Sequence, residues 1–313
     1  MAPCGLVKPV SPQHISSRVH QEAIGVLGVN LIYAAFHQSQ TKEDLLEGIA
    51  EDVDKRIEID FVDVSGYAFE TWNQRELLVH LVRTGLAEAV CFPSSNAPLP
   101  PTEMLYKKPL VLAPGYFVHV DRAHGEIHTR MLASAIRQLQ RESGESKAPK
   151  GFFCLTSAPS NTNEPPAEAS DLLYRIDALR SRGGDVLLFR EQELYTLADF
   201  VNRYTKEAVR FVVGLSVIIR TFEDRYGKLD GSLLRALSHL FAQNVRIYAY
   251  PMTVADLQEI IQSISAAGWE WTETNGSVSA RQLHPASPIG HLYDYLLASH
   301  FLIPIEGSLL ILE

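Results

Sequence analysis

The feature that most constrains the fold is a repeated alternation of short apolar runs with helical segments. Runs of four to six mostly apolar residues begin near residues 89, 110, 151, 185, 209 and 245. Most of the segments between them place apolar side chains three or four residues apart. Strands that alternate with helices in this way indicate a parallel sheet packed by helices. We therefore predict an α/β fold with a mostly parallel sheet and helices on both faces, an arrangement that also accommodates two Rossmann-like halves.

The composition allows one large domain or two moderate ones. The chain has 313 residues, of which 46% are hydrophobic and 21% charged, as in an ordinary globular protein. A polar run at residues 142–150 interrupts the pattern, and we predict an N-terminal part at 1–146 and a C-terminal part at 147–313. The net charge of −9 disfavours nucleic acid and anionic membranes as partners, because both require a basic surface.

The cysteines and the first residues predict an intracellular protein. Cys91 and Cys154 lie in apolar runs, and no two cysteines have the spacing of a metal site. Residues 1–6 lack the features of a signal peptide, and the longest apolar run is too short to span a bilayer. The expected location is the cytoplasm.

The strongest candidate site lies at residues 116–132, where three histidines and an aspartate connect a predicted strand to a predicted helix. At about 100° per residue, His124 and His128 fall about 60° and 100° from Ile127, on the same side of the helix as Leu132. This end of the helix faces the carboxyl edge of the sheet, where parallel α/β folds bind their ligands. The position predicts that these histidines face a ligand or the sheet.

The histidines have three interpretations. His119 or His124 would act as an acid or base, because imidazole titrates near neutral pH. Asp121, His124 and His128 would bind a divalent metal, since imidazoles four residues apart on a helix converge on one ion. The segment lacks the glutamate of an H-E-x-x-H zinc site. In the third interpretation, His124 and His128 only line the interface between helix and sheet.

Other polar residues are candidate ligand contacts. Asp63 ends the strand-like stretch 57–64 and is expected at the carboxyl edge, where it would orient or bind a substrate. Asn30 lies in an otherwise apolar helix that also contains two glycines, so the close approach of backbone or of a ligand is one explanation for it. A buried amide in that helix would need hydrogen-bonding partners.

Positive charges and glycines suggest where an anion would bind. Lys108 precedes one predicted strand, and Arg203 and Lys206 follow a predicted helix. Gly115 ends a strand at the expected site. Gly214 ends the strand at 209–213 and opens a helix, whose backbone N–H groups would hold a phosphate or a carboxylate. The motifs of dinucleotide binding, P-loop hydrolysis and α/β-hydrolase chemistry are absent from the sequence.

Several segments together resemble a known family, and they are spread over most of the chain: 18–36, 103–115, 203–206, 237–241, 248–251, 292–297 and 304–305. They resemble a bacterial family of uncharacterised cytosolic proteins. Some members carry the labels nicotinate-nucleotide adenylyltransferase or TonB-dependent receptor. The first label implies a phosphate-binding motif of the form G-x-F-x-P-x-H-x-G-H. Residues 115–124 keep Gly115, Phe117 and His124 of it but lack the proline and the second glycine.

The leading hypothesis is an enzyme that acts on a small polar, anionic metabolite by acid–base or metal-assisted chemistry. Its site would lie at the carboxyl edge of the sheet, with Lys108 neutralising the ligand. Nucleotidyl transfer at residues 115–124 is the second hypothesis. The third is a non-catalytic binding protein that forms homo-oligomers through the aromatic segment 293–305. A divalent metal is the cofactor that the histidines would hold.

Overall fold

The computed structural model describes residues 4–9, 17–37, 41–53, 57–65, 69–118, 122–144, 147–159, 167–223, 229, 231–264 and 268–305. Its helices are α1 (Ser17–His37), α2 (Lys42–Ala50), α3 (Gln74–Arg83), α4 (Pro101–Leu105), α5 (Arg122–Ser143), α6 (Ala169–Arg180), α7 (Leu194–Asn202), α8 (Leu215–Glu223), α9 (Leu233–Leu240), α10 (Val254–Ser263) and α11 (Ile289–Ala298). Its strands are β1 (Cys4–Pro9), β2 (Ile57–Asp63), β3 (Ala89–Phe92), β4 (Leu110–Gly115), β5 (Lys150–Thr156), β6 (Asp185–Phe189), β7 (Val209–Gly214), β8 (Val245–Tyr250), β9 (Met252–Thr253), β10 (Trp269–Trp271), β11 (Ser277–Val278), β12 (Leu283–Pro285) and β13 (Leu302–Pro304).

A seven-stranded sheet is the main element of the fold. Its order is β13-β8-β7-β4-β5-β6-β3. Strands β4, β7, β8 and β13 pair in parallel, whereas β3 pairs with β6 in the antiparallel sense. The central strands are buried apolar runs, as expected for parallel strands that are covered on both faces. The prediction of an α/β fold with a mostly parallel sheet is confirmed.

The chain forms two compact units, and each is assembled from separate segments. The first comprises Met1–Met104, Tyr116–Val118 and Leu155–Gln192. The second comprises Leu105–Gly115, His119–Cys154 and Glu193–Glu313. The division predicted at 146/147 falls inside the second unit.

Strand β2 does not belong to the main sheet. It pairs in the antiparallel sense with β1, and the two form a separate two-stranded sheet. Asp63 at the end of β2 therefore does not end a strand of the parallel sheet, and its role at a ligand site stays a prediction. The sequence could not reveal this, because the partner strand at residues 4–9 contains both glycine and proline, which weaken a strand pattern.

Helix α1 carries exposed apolar side chains along one side. Ile32 is 60% exposed and Phe36 is 80% exposed. A Cβ atom placed on Gly25 or Gly28 would have no described atom within 4 Å, so close approach of the described backbone does not explain these glycines. In the described part of the chain, neither α1 nor any other helix combines the length and the apolar character needed to cross a membrane.

Candidate functional site

The histidine-bearing segment enters α5, and the buried face of this helix is the predicted one. The apolar side chains that face inward are Leu132, Ala135 and Leu139. His128 falls within the same angular range and is half-buried. Because α5 packs against β4 and β7, His128 lies on the side of the helix that faces the sheet.

The side chains of three predicted site residues lie outside the described part of the structure. His119 and Asp121 lie outside the described residues, and only the backbone of His124 is described, within α5. The proposed metal ligands Asp121, His124 and His128 therefore remain a prediction. Among the side chains that are described, no group of three or more histidine, cysteine, aspartate and glutamate residues is arranged to hold a metal ion.

The order of the strands changes direction between β4 and β7. Along the chain, β4 is followed by β5, which lies beside it on one side. Strand β7 lies on the other side of β4 and is followed by β8, which lies one strand farther from β4. The chain therefore leaves β4 and β7 in opposite directions. In open α/β sheets, ligands bind in the crevice beyond the carboxyl ends of two such strands. Both strands belong to the second compact unit.

Two glycines end the strands on either side of this position. Leu110 pairs with Val209 and Leu112 pairs with Phe211. Both strands end in a glycine, Gly115 in β4 and Gly214 in β7. Helix α8 begins directly after Gly214, so the first backbone N–H groups of a helix lie at the same edge.

The neighbouring strand β8 supplies a tyrosine at this edge. Tyr250 pairs with Gly214, and its hydroxyl donates a hydrogen bond to the carbonyl oxygen of Met131 on α5 at 3.1 Å. Burial raises the pKa of Tyr250 above its ordinary value, so the hydroxyl remains a neutral donor. This contact attaches α5 to the sheet three residues beyond His128.

Packing does not require glycine at position 214. A Cβ atom there would lie 3.7 Å from the Cε atom of Met252 and 3.8 Å from the Oγ atom of Ser216, which are ordinary van der Waals distances. An alanine at this position would therefore fit among the described residues while filling space above the strand end.

Asn30 has a structural role at the end of another helix. Its side-chain nitrogen donates hydrogen bonds to the carbonyl oxygens of Ile49, at 3.4 Å, and of Glu51. Both carbonyls lie at the carboxyl end of α2, where a helix leaves its last acceptors unpaired. The amide of Asn30 thus finds its partners in the protein backbone.

The predicted anion contacts lie at the amino edge of the sheet. The carbonyl oxygen of Lys108, just before β4, accepts a hydrogen bond from the Thr205 hydroxyl at 2.8 Å. Lys206, just before β7, donates through Nζ to the carbonyl oxygen of Asn202 at 3.1 Å, and Arg203 stacks on the Phe200 ring. The structure brings these residues together. It does not bring them to Gly115, which lies at the opposite end of β4, about 17–20 Å away for a strand of this length.

A polar cluster at this amino edge was not predicted from the sequence. Arg210 in β7 is only 5% exposed, and its Nε lies 3.5 Å from a carboxylate oxygen of Glu142 at the end of α5. The adjacent residues Asn244 and Arg246 complete the cluster. The available signal was an arginine at the second position of each of two apolar runs, V-R-F-V-V and V-R-I-Y-A.

The comparisons with known proteins give no family assignment. No protein-family model matches the chain, and no curated protein shows significant similarity to it.

Proposed function

We propose that the protein is an enzyme that acts on a small polar, anionic metabolite at the carboxyl edge of β4 and β7. The observation that carries this proposal is the reversal of strand order between these two strands, because ligands of open α/β sheets bind at such positions. The fold alone does not specify a reaction, so the reaction class depends on the side chains at this edge.

The residues at this edge suggest how such a ligand would bind. Gly115 and Gly214 would leave space for it above the strand ends, and the first N–H groups of α8 favour a negative charge. His119 or His124 would then act as the acid or base, or as a metal ligand. Lys108 has no part in this proposal, since it precedes β4 at the other end.

A thermal-shift screen with anionic metabolites tests the proposal, with ATP plus magnesium as the member that represents nucleotidyl transfer. Ligand binding raises the melting temperature, and about 2.7 kcal/mol of stabilisation is expected at a ligand concentration 100 times Kd. We expect Gly214→Ala to fold normally and to weaken ligand binding at least tenfold, because the methyl group occupies the space above the strand end. Gly28→Ala, a glycine substitution in α1, is the matched control.

The outcome distinguishes the alternatives. If a metabolite stabilises the protein and binds Gly214→Ala equally well, its site lies elsewhere than at Gly214. Stabilisation by ATP alone would favour nucleotidyl transfer. Elemental analysis of the purified protein and of the His124→Ala/His128→Ala variant tests the metal. About one equivalent of a transition metal that is lost in the folded variant would identify His124 and His128 as its ligands.

Self-association is a second candidate function, and the exposed side of α1 favours it. The segment 293–305 is mostly used within the molecule, since Tyr293, Leu296 and Leu302 are buried. On α1, by contrast, Ile32 and Phe36 are largely exposed, and apolar patches of this kind mark interaction sites. Analytical ultracentrifugation should then show a dimer that becomes monomeric in an Ile32→Ser/Phe36→Ser variant. A monomeric wild-type protein would eliminate this function.

A further inference from the structure

A polar cavity of about 500 Å³ lies at the amino edge of the sheet, within the second compact unit. It is lined by Pro109, Glu142, Ser143, Lys147, Glu207, Ala208, Arg210, Asn244 and Arg246. Cavities of this size accept small metabolites. It lies at the opposite end of β7 from Gly214, so it is separate from the site proposed above.

Two arginines lie side by side in the wall of this cavity. Arg210 on β7 and Arg246 on β8 are direct partners in the parallel register, so their side chains emerge from the same face of the sheet. Like charges directly opposite each other on neighbouring strands are destabilising. Their placement at one cavity wall therefore needs compensation by negative charge.

The protein compensates the buried guanidinium of Arg210 only in part. Its Nη1 atom donates to the carbonyl oxygens of Val209 and Asn244, each at 3.0 Å, and its Nε atom lies 3.5 Å from the Glu142 carboxylate. Its Nη2 atom has no hydrogen-bond acceptor among the described residues. Arg210 lines the cavity, and its Nη2 atom is not among the buried side-chain atoms that lack a partner, so this donor is accessible to a ligand there.

The remaining charges leave Arg246 without an ion pair in the described part of the chain. Lys147 and Glu207 form an ion pair with each other, and Glu142 is the carboxylate closest to Arg210. Among the described residues, the lining thus holds three cationic side chains and two carboxylates. The excess positive charge belongs to the arginine pair.

The neighbouring tyrosine reinforces the polarity of this region. The hydroxyl of Tyr248, two residues after Arg246, is buried and makes no hydrogen bond within the described part of the chain. Burial, followed by the nearby Glu142 carboxylate, raises the pKa of Tyr248 above its ordinary value. Tyr248 therefore stays neutral and adds no negative charge to balance the arginines.

We propose that this cavity binds a small molecule through a phosphate or carboxylate group, held between Nη2 of Arg210 and the guanidinium of Arg246. The planar guanidinium matches the geometry of both oxyanions, and hydrogen bonds to charged groups are strong. The alternative is that the arginines only balance Glu142 and the negative carboxyl end of α5.

Isothermal titration with inorganic phosphate, and separately with citrate as a carboxylate probe, tests this proposal at constant ionic strength maintained with chloride. We expect wild-type protein to bind at least one of them and Arg246→Gln to bind it at least tenfold more weakly, because the variant removes one charge-assisted contact to the anion. Arg281→Gln, an exposed arginine that does not line the cavity, is the matched control and should bind like wild type.

A second variant should change the affinity for the anion in the opposite direction. Glu142→Gln removes the carboxylate that competes for Arg210, so the same anion should bind several-fold more tightly than to wild type. Failure of the wild-type protein to bind either probe would overturn the proposal, as would equal binding by Arg246→Gln. Gly214→Ala should leave binding of the probe unchanged, which separates this site from the carboxyl-edge site.

Discussion

Two glycines at different positions in helices have opposite expected responses to alanine. A Cβ atom on Gly28 would meet no described atom within 4 Å, whereas on Gly290 it would lie 2.4 Å from the carbonyl oxygen of Pro285. Gly28→Ala should raise the free energy of unfolding by about 1 kcal/mol through helix propensity. Gly290→Ala should lower it by about 1–3 kcal/mol through steric overlap.

Urea denaturation of the two variants measures both effects. A destabilised Gly28→Ala protein would show that atoms outside the described residues occupy this side of α1, because the described chain leaves the space open. An unchanged Gly290→Ala protein would show that α11 shifts its start to relieve the overlap.

A single histidine should make stability depend on pH near neutrality. His80 in α3 lies 3.0 Å from the Glu43 carboxylate, yet its pKa is lowered from 6.5, because burial outweighs the attraction of Glu43. The unfolded chain therefore binds a proton more readily than the folded one just below pH 6.5. The lowered pKa of His80 therefore adds nothing unfavourable to folding above pH 6.5. As the pH falls from 6.5 through the pKa of His80 in the folded protein, the free energy of unfolding decreases.

The difference between wild type and His80→Gln isolates this contribution. Urea midpoints at about pH 7.5 and about pH 5.5 should fall further in the wild type than in His80→Gln, whose side chain does not titrate. Equal losses in the two proteins would show that His80 has the same pKa when folded and unfolded.

The starts of two helices depend on side-chain caps. The Thr41 hydroxyl accepts a hydrogen bond from the Asp44 N–H at 3.1 Å, and the Asn73 carbonyl accepts one from the Arg75 N–H at 3.0 Å. Thr41→Ala and Asn73→Ala should each lower the free energy of unfolding by about 1 kcal/mol. Thr41→Ser and Asn73→Asp retain a capping oxygen and should stay close to wild type in the same measurement.

The elements of the main sheet could be predicted because each has a local signature. Strands β3, β6 and β8 begin where the apolar runs begin in the sequence, since continuous apolar runs ended by turn residues mark buried strands. Strands of two or three residues, such as β9 and β13, are too short to show any period. The β1–β2 pair was missed because pairing between distant segments leaves no local pattern.

The same distinction applies to the candidate sites. The inward face of α5 follows from helical periodicity, so the half-buried position of His128 could be anticipated. The pairing of Arg210 with Arg246 could not, because it depends on the register of two strands that the sequence does not specify. The amino-edge placement of Lys108, by contrast, follows from its position before β4, because parallel strands begin at the same edge of a sheet.

The interleaved segments of the two units predict that the chain cannot be divided at 146/147. A fragment of residues 1–146 would contain β3 without β6 and β4 without β7. A fragment of residues 147–313 would contain those partners without β3 and β4. We expect neither fragment to unfold cooperatively in urea, whereas the intact chain should. A cooperative transition in either fragment would establish a domain boundary near the predicted one.

The pairing of β4 with β7 also affects how the nascent chain folds during synthesis. The two strands are separated by roughly 100 residues, so on a ribosome that adds about 5–20 residues per second, β4 waits on the order of 5–20 s for this partner. During that time the apolar side chains of Leu110, Val111 and Leu112, which are fully buried in the finished sheet, have no strand on that side. Nascent chains that stop before residue 209 should therefore depend on chaperones to stay unaggregated, and release from that dependence should coincide with the emergence of β7.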